Sequence, residues 1–358
     1  MRLTFSPPPN SSRVLLNPAQ FEARNHQGRP TRRAGATNLL IMLAALLLSS
    51  LAHSEDTLTL LRLNAERGDV DAQYDLGMMH LTGVAGQINE SEAAKWLQKA
   101  AEQEHDHAQR QYGRLLAEGR GVLKNEEEGM RWIQKSAEQN LASAQADLGI
   151  AYAKGVGVPM DEFTAVKWLT RAAEQNYAEA QNNLAVMYAR GMGVAQDDAQ
   201  AAKWYRLAAE GGVVSAQCDL GVRYTKGQGV EHNDEEAVKW LRKAAENNFA
   251  RAQFNLGFML ASGRGGPKDE EQAVMWYRRA AEQGHREAQN NLGTMYGQGL
   301  GVPQDDVEAH IWLTVATANG VEMARDSLVF IEQRMTPEQK QKALILAAER
   351  LQQTQKHE

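Results

Sequence analysis

The seven tryptophans of this 358-residue chain stand at a constant interval of 36 residues. They are Trp96, Trp132, Trp168, Trp204, Trp240, Trp276 and Trp312. A glutamine series with the same interval runs from Gln73 to Gln289 without an insertion or a deletion. A fixed period of this length is typical of stacked repeat proteins, in which each unit buries its apolar face only against its neighbours. The sequence therefore predicts an array of seven units and favours binding over catalysis.

The pattern inside one unit predicts two helices joined by a glycine-containing loop. In residues 178–213, Ala180, Leu184 and Tyr188 share one face of a first helix, and Asp197 occupies the N-cap position of a second helix. The N-cap column holds Asn89, Asn125, Asp161, Asp197, Asn233, Asp269 and Asp305. The column predicted to end the second helices with a left-handed residue holds Glu104, Asn140, Asn176, Gly212, Asn248, Gly284 and Gly320.

The seven tryptophans lie on the apolar stripe of the predicted second helices, opposite a surface rich in alanine and glycine. An indole is the largest apolar side chain, so it fills such a surface well. We interpret this column as core, wedged between its own helix pair and the next unit, and not as a platform on which bases or sugars stack.

The full motif of the unit resembles the Sel-one-like repeat (SLR), a relative of the tetratricopeptide repeat. The motif is Ala-x-Ala-Gln-x-x-Leu-Gly-x-x-Tyr, then Gly-x-Gly-Val, an Asp, Ala-x-x-Trp and Ala-Ala, and it covers residues 70–321 in seven units. The first unit departs from it, with His80 in place of the Tyr and Ala85 in place of the second loop Gly. The resemblance implies an all-α fold, an α/α solenoid in which helix-turn-helix repeats form a right-handed superhelix. It also implies a concave surface lined by the first helices.

The segments on either side of the array are predicted to be caps. Residues 55–69 align with a lone second helix and form the N-terminal capping helix, and residues 322–358 form C-terminal capping helices. Thr336, Pro337 and Gln339 are an N-cap, a first-turn proline and a capping-box partner, so the last helix should run to about Gln353.

Residues 1–54 differ in kind from the repeats. Six arginines and one glutamate precede an apolar run of 13 residues, 39–51, which ends in small residues. A positively charged flank, a short apolar run and small residues after that run predict a secretory signal peptide cleaved near Ala52–Ser54. The run is short for a bilayer span, so no stable membrane insertion is expected after processing, and the location is periplasmic or secreted. An uncleaved anchor is the alternative interpretation.

Charge and motif content narrow the function classes. The whole chain carries −6, and residues 1–54 contribute six positive charges and one negative charge, so the remainder carries about −11. An acidic protein is a poor general binder of nucleic acid. The single cysteine, Cys218, excludes an intramolecular disulfide framework and a cysteine-cluster metal site. No catalytic motif stands out, and we predict no catalytic residues, no cofactor and no metal.

Three columns of the first helix, four residues apart, vary between units and are therefore candidates for recognition. The predicted groove residues are Tyr74, Arg110, Arg114, Lys154, Asn182, Arg190, Lys226, Phe254, Phe258 and Asn290. The five basic members should form a continuous positive stripe that binds an acidic segment, and the aromatic pair Phe254 and Phe258 should receive an apolar anchor. Solvated helix-face residues without a function are the alternative.

The leading hypothesis is an exported, non-catalytic scaffold that binds a protein or peptide partner on its concave face. An enzyme acting on the cell wall or on β-lactams is one alternative, because some proteins of the resembled family are described in those terms. A cytoplasmic adaptor is another, and it holds if residues 1–54 are not a signal.

Overall fold

The computed structural model of the chain describes residues 58–84 and 86–355. The predicted export segment, residues 1–54, lies outside the described residues, as do the start of the N-terminal cap and the last three residues of the chain. The described residues form 17 helices and no strand, so the predicted all-α class is confirmed.

The helices follow the predicted order of first and second helices. The N-terminal cap contributes α1, which is helical over residues 58–66. The first helices of the seven units are α2 (Val70–Thr82), α4 (Asp106–Glu118), α6 (Ala142–Lys154), α8 (Ala178–Arg190), α10 (Val214–Lys226), α12 (Ala250–Ser262) and α14 (Arg286–Gln298). The second helices are α3 (Glu90–Glu102), α5 (Glu126–Glu138), α7 (Glu162–Glu174), α9 (Asp198–Glu210), α11 (Asp234–Glu246), α13 (Glu270–Glu282) and α15 (Asp306–Ala318). The C-terminal cap consists of α16 (Glu322–Glu332) and α17 (Pro337–Gln355).

Both columns of helix-ending residues behave as predicted. Every N-cap side chain accepts a hydrogen bond from the backbone N–H three residues later, as Asn89 does from Glu92 at 3.1 Å. Every residue of the left-handed column has a positive φ, including Glu104 at 64°. The ends of the helices are therefore set by short-range chemistry that the sequence displays.

The glutamine column is a buried hydrogen-bond ladder. Each glutamine donates its side-chain N–H to a backbone carbonyl eight residues earlier, in the last turn of the preceding second helix; the Gln109 to Ala101 bond is 3.2 Å long. Each of these carbonyls also accepts the backbone N–H of the residue three positions later, as Ala101 does from Glu104 at 3.1 Å. The glutamine therefore fastens each unit to the helix that precedes it.

The tryptophan column is core only in part. The indoles of Trp240, Trp276 and Trp312 are buried, but those of Trp96, Trp132, Trp168 and Trp204 are half-buried. The predicted direction of packing is wrong for Trp96, Trp132 and Trp168, because each of these indoles packs against its own first helix and the helix that precedes it. Trp132, for example, joins the apolar cluster of Leu97 in α3 and Tyr112 in α4, and its ring meets the Tyr112 ring edge-on at 5.7 Å.

A basic side chain covers each indole. The cation lies between 4.0 Å from the ring centroid, for Lys99 on Trp96, and 5.5 Å, for Lys203 on Trp204. The other covering residues are Lys135, Arg171, Lys243, Arg279 and Arg350. A cation over an aromatic face is attracted by the ring quadrupole. These side chains shield the exposed side of the half-buried indoles from water.

The chain divides into two compact units, Met1–Arg171 and Ala172–Glu358. Within the first unit the core follows the helices in chain order, around Leu76, then Leu97 and Leu115, then Leu148. Within the second unit one continuous core extends from α8 to Trp312 of α15.

The C-terminal cap packs against the last repeat. Helices α16 and α17 both contact α15, and Ile331, Met335 and Ala343 form a separate buried cluster with it. The predicted capping box is confirmed: the Thr336 hydroxyl accepts from the Gln339 N–H at 3.2 Å, and the Gln339 carbonyl oxygen accepts from the Thr336 N–H at 2.9 Å. Helix α17 ends at Gln355, two residues beyond the predicted end.

Candidate binding groove

The compact unit Ala172–Glu358 contains a groove of about 630 Å³ built on the first helices α10 and α12. Three of the predicted site residues, Lys226, Phe254 and Phe258, line it. They converge because positions four residues apart on one helix share a face, and equivalent positions recur on the neighbouring first helix. We refer to this cavity as the α10–α12 groove.

The two phenylalanines of the groove differ in environment. The Phe254 ring is half-buried, stacks on the His285 ring with 4.6 Å between centroids, and lies 5.9 Å from the Tyr277 ring. Phe258 is 45% exposed, a large fraction for a phenyl ring. Phe254 is thus part of the wall, and Phe258 is the aromatic surface that remains open to a ligand.

His285 holds its place by capping a helix. Its Nδ1 accepts from the Ala288 N–H at 3.4 Å, which makes it the N-cap of α14, and Glu287 lies 3.4 Å from the same nitrogen. Burial lowers the pKa of His285, while Glu287 acts in the opposite direction. A nitrogen that accepts the Ala288 N–H is unprotonated, so this hydrogen bond and burial both favour the neutral ring, against the effect of Glu287.

The same arrangement occurs at the end of the first repeat, residues 70–105. His105 Nδ1 accepts from the Ala108 N–H at 3.1 Å, and the His105 ring stacks on Tyr74 with 4.6 Å between centroids. Tyr74 was predicted as a groove residue, and it is half-buried by this contact. Sequence reasoning missed both histidine caps because histidine is not a usual N-cap residue. The available signal was a histidine three residues before a helical alanine in two units.

Ion pairs neutralise most cations of the α10–α12 groove. Arg251 bonds to the Asp219 carboxylate and, through Nε, to the Cys218 sulfur at 3.3 Å. Arg264 forms two bonds to the Asp234 carboxylate, at 2.7 and 2.9 Å. Among the described residues that line the groove, Lys226 is the basic side chain with no ion pair, and it is exposed. The groove therefore offers an unneutralised positive charge beside an open aromatic ring.

Cys218 and Asp219 lie beneath this surface. Burial raises the pKa of the Cys218 thiol, and burial also raises the pKa of the Asp219 carboxyl, against the opposing effect of Arg251. Cys218 is fully buried, so it serves as a small apolar side chain rather than a nucleophile.

The prediction that Arg110 belongs to an accessible positive stripe is wrong. Its side chain lies between the first helices α4 and α6, the residue is 4% exposed, and its Nε donates to the Asp147 carboxylate at 2.7 Å. Asp147 stands in α6 of the next unit, at a position that holds an acid or an amide in all seven units. A buried guanidinium needs such a partner because an isolated charge in the interior is very costly.

The other predicted residues are placed as follows. Arg114 is also largely buried and pairs with Glu118 at 3.5 Å, so the prediction of a continuous positive stripe is wrong. Lys154 and Arg190 are exposed at the ends of α6 and α8. Asn182 and Asn290 are half-buried, and the carbonyl oxygen of each has no hydrogen-bond partner.

Comparison with known families decides the relationship that the geometry suggests. The model of the Sel1 repeat matches seven consecutive segments, residues 70–105, 106–141, 142–177, 178–213, 214–249, 250–285 and 286–321. The chain belongs to the Sel1 repeat family. The segments coincide with the seven helix pairs described above.

A solved structure of the same family shows the same fold. A Sel1 repeat protein from Oxalobacter formigenes is 35% identical, with a TM-score of 0.62 over 77% of this chain and 80% of that chain. A protein described as a protective antigen of uropathogenic Escherichia coli strains with an SLR fold, c5321, is 28% identical, with a TM-score of 0.47 over 83% of this chain and 89% of that chain. A comparison with curated proteins finds no match. The predicted α/α solenoid class is thereby confirmed.

The Sel1 fold supplies a scaffold type of surface, and such repeats commonly mediate protein interactions. In the part of the chain that the structure describes, no cluster of three potential ligands could hold a metal ion. None of the described helices is both long enough and apolar enough to cross a bilayer.

Proposed function

We propose that this Sel1 repeat protein is an exported, non-catalytic scaffold that binds an acidic segment of a protein or peptide partner. Binding takes place on the face formed by its first helices. The observation that carries the proposal is the juxtaposition in the α10–α12 groove of Lys226, which pairs with no acid of the described residues, with Phe258, which is 45% exposed.

Charge supports an acidic ligand. Residues 55–358 carry about −11 because the arginines of residues 1–54 are excluded, yet Lys226 and Arg190 present exposed positive charge at the ends of α10 and α8. A local reversal of sign directs an oppositely charged partner to that surface and suppresses binding elsewhere. The same overall charge disfavours nucleic acid as the partner.

The aromatic surface supports a protein or peptide ligand. Val222 and Met259 line the groove beside Phe258, so a partner side chain of apolar character can be desolvated on three sides. Buried anchors of this kind carry most of the free energy of a small interface, while the surrounding charges set orientation and rate.

Charge reversal tests the proposal. The probe is a labelled peptide of about 12 residues with one leucine in a background of aspartate, glutamate and serine, and its affinity is measured by fluorescence anisotropy at several salt concentrations. We expect Lys226→Glu and Arg190→Glu each to weaken binding severalfold at low salt and to reduce its salt dependence.

Lys239→Glu is the matched control, because Lys239 is equally a surface lysine but lies on a second helix, paired with Glu236. It makes the same change in net charge. Equal effects of Lys226→Glu and Lys239→Glu would show that only overall charge matters, and the proposed site would be rejected. Arg114 is unsuitable for this test because it is largely buried against Glu118.

A further inference from the structure

The recognition surface does not end with the seventh unit. Helix α16 of the C-terminal cap occupies the position of an eighth first helix and contacts α14, as α12 contacts α10. Phe330 stands 36 residues after Thr294 and 72 residues after Phe258, so all three share one column of the first helices. Phe330 is 60% exposed.

A second, smaller cavity of about 270 Å³ lies at this end of the column. Phe330, Thr294 and Leu313 line it together with Gln298. Arg334 lies over the Phe330 ring, 5.1 Å from its centroid. Arg334 is itself fixed by a 2.8 Å bond to the Gly297 carbonyl and by the Asp306 carboxylate. The exposed ring is therefore held in place before any ligand arrives, which lowers the entropic cost of binding.

Resting on the proposed function, we infer that the partner is an extended polypeptide segment with two apolar side chains, one seated on Phe258 and one on Phe330. Carboxylates flank the first anchor, where Lys226 is unpaired. Helix α14 lies between the anchors and offers the amide side chains of Asn290 and Gln298, which suit the backbone of an extended chain.

The spacing of the two anchors follows from helix geometry. Packed helices lie about 8–10 Å apart, so two steps along the column span roughly 20 Å. An extended chain advances about 3.3 Å per residue, and the two apolar side chains should therefore be separated by about six residues.

A peptide series tests this inference on the full chain. The peptides carry two leucines separated by three to nine residues in an acidic background, and the reference carries one leucine. We expect affinity to be highest at a separation of about six residues, roughly tenfold above the one-leucine reference. Phe330→Ala should remove this gain and leave binding of the one-leucine peptide unchanged. Phe258→Ala should weaken both.

Val329→Ala is the matched control, because Val329 is an exposed apolar residue of α16 that does not line the cavity. Affinity that is independent of the separation, or equal effects of Phe330→Ala and Val329→Ala, would overturn the two-anchor inference while leaving the acidic site intact. If Lys226→Glu lost binding while Phe258→Ala and Phe330→Ala bound like the wild type, the two-anchor inference would also be overturned and the acidic site would stand. Failure of every peptide to bind would reject both proposals. A change of oligomeric mass in Phe330→Ala, measured by light scattering, would assign the patch to a second copy of the chain and would also overturn the inference.

Discussion

Single residues set the points at which the helices of each repeat end, and Glu104 is the exception among them. The left-handed position after each second helix holds Glu104 in the first unit and asparagine or glycine in the other six. A side chain with a Cβ and no short polar group pays roughly 1–2 kcal/mol in that conformation. The backbone carbonyl of Glu104 accepts a hydrogen bond from the Gln139 side chain. This bond does not involve the Glu104 side chain, so the side chain can be replaced without losing it.

We predict that Glu104→Gly raises the free energy of unfolding by about 1 kcal/mol, measured by urea denaturation. Gly212→Ala is the reciprocal control: Gly212 has φ 90°, and an added Cβ would meet no heavy atom within 4 Å. It should lower stability by about 1 kcal/mol through conformation alone. Equal midpoints for both variants and the wild type would contradict the assignment of strain to Glu104.

A second residue-scale prediction concerns His285. Burial lowers the pKa of this ring in the folded protein, whereas Glu287 favours the protonated ring and Arg286 and Arg251 oppose it. An unfolded histidine titrates near pH 6.5, so the unfolded state takes up a proton that the folded state resists. The contribution of His285 to stability is thus present above that pH and lost as the pH falls through it.

NMR titration of the His285 ring should give a midpoint below 6.5, and His285→Asn, which keeps an N-cap acceptor, should make stability less sensitive to pH between 7.5 and 5.5. The variant also identifies the His285 resonance by its disappearance. A midpoint above 6.5 would mean that Glu287 outweighs burial.

At the scale of the element, the second helices show how one column can serve different packing environments. Trp276 is buried, whereas Trp96 occupies the same position of its unit and is half-buried beneath Lys99. The preceding element of Trp96 is the capping helix α1, which contributes only Ala65 to the fully buried cluster there. The terminal position alone does not account for the difference, because Trp132, Trp168 and Trp204 of internal units are also half-buried.

We predict that Trp276→Ala lowers the free energy of unfolding by about 3–5 kcal/mol, since it removes a large buried aromatic side chain. Trp96→Ala should cost roughly half as much, because part of its ring is already in contact with water. Both values are measured by denaturant unfolding followed by circular dichroism. A loss within about 0.5 kcal/mol for Trp276→Ala, which is a typical surface effect, would refute its place in the core.

At the scale of the whole molecule, our proposal is that the segment before the array is removed and that the array is exported. The arginine-rich flank and the apolar run of residues 39–51 are followed by small residues at Ala52 and Ser54. The repeats after them are acidic, with about −11 in residues 55–358 once the five net positive charges of residues 1–54 are excluded. Export of an acidic binding array is the function that joins these two features.

We predict cleavage at or near Ala52–Ser54 and a mature product in the periplasmic or extracellular fraction. N-terminal sequencing of protein from fractionated cells measures it directly. Recovery of the chain from the membrane fraction with Arg2–Arg33 intact would replace export by anchoring. Recovery of the intact chain from the cytoplasm would support the adaptor alternative.

The sequence by itself determined the period, the helix pairs, their caps and the C-terminal capping box. The caps depend on interactions within a few residues, such as Asn89 with the Glu92 N–H, and the 36-residue repeat displays the helix pair and its caps seven times. The capping box of α17 occurs once and is equally local. The column of variable positions also located Lys226, Phe254 and Phe258, because their convergence follows from helical spacing and repetition.

Only the tertiary structure decided which variable side chains are free. Arg110 and Lys226 both belong to the variable columns, but Arg110 meets Asp147 of the next unit and is buried, whereas Lys226 is exposed and forms no ion pair within residues 58–84 and 86–355. His285 became a cap and a stacking partner of Phe254, and Phe330 became an open ring on an eighth helix. The partner that buries Arg110 and the ring that stacks on Phe254 come from other elements, more than 30 residues away, and their identity differs from unit to unit. The period cannot encode such contacts, because it records only what the units have in common.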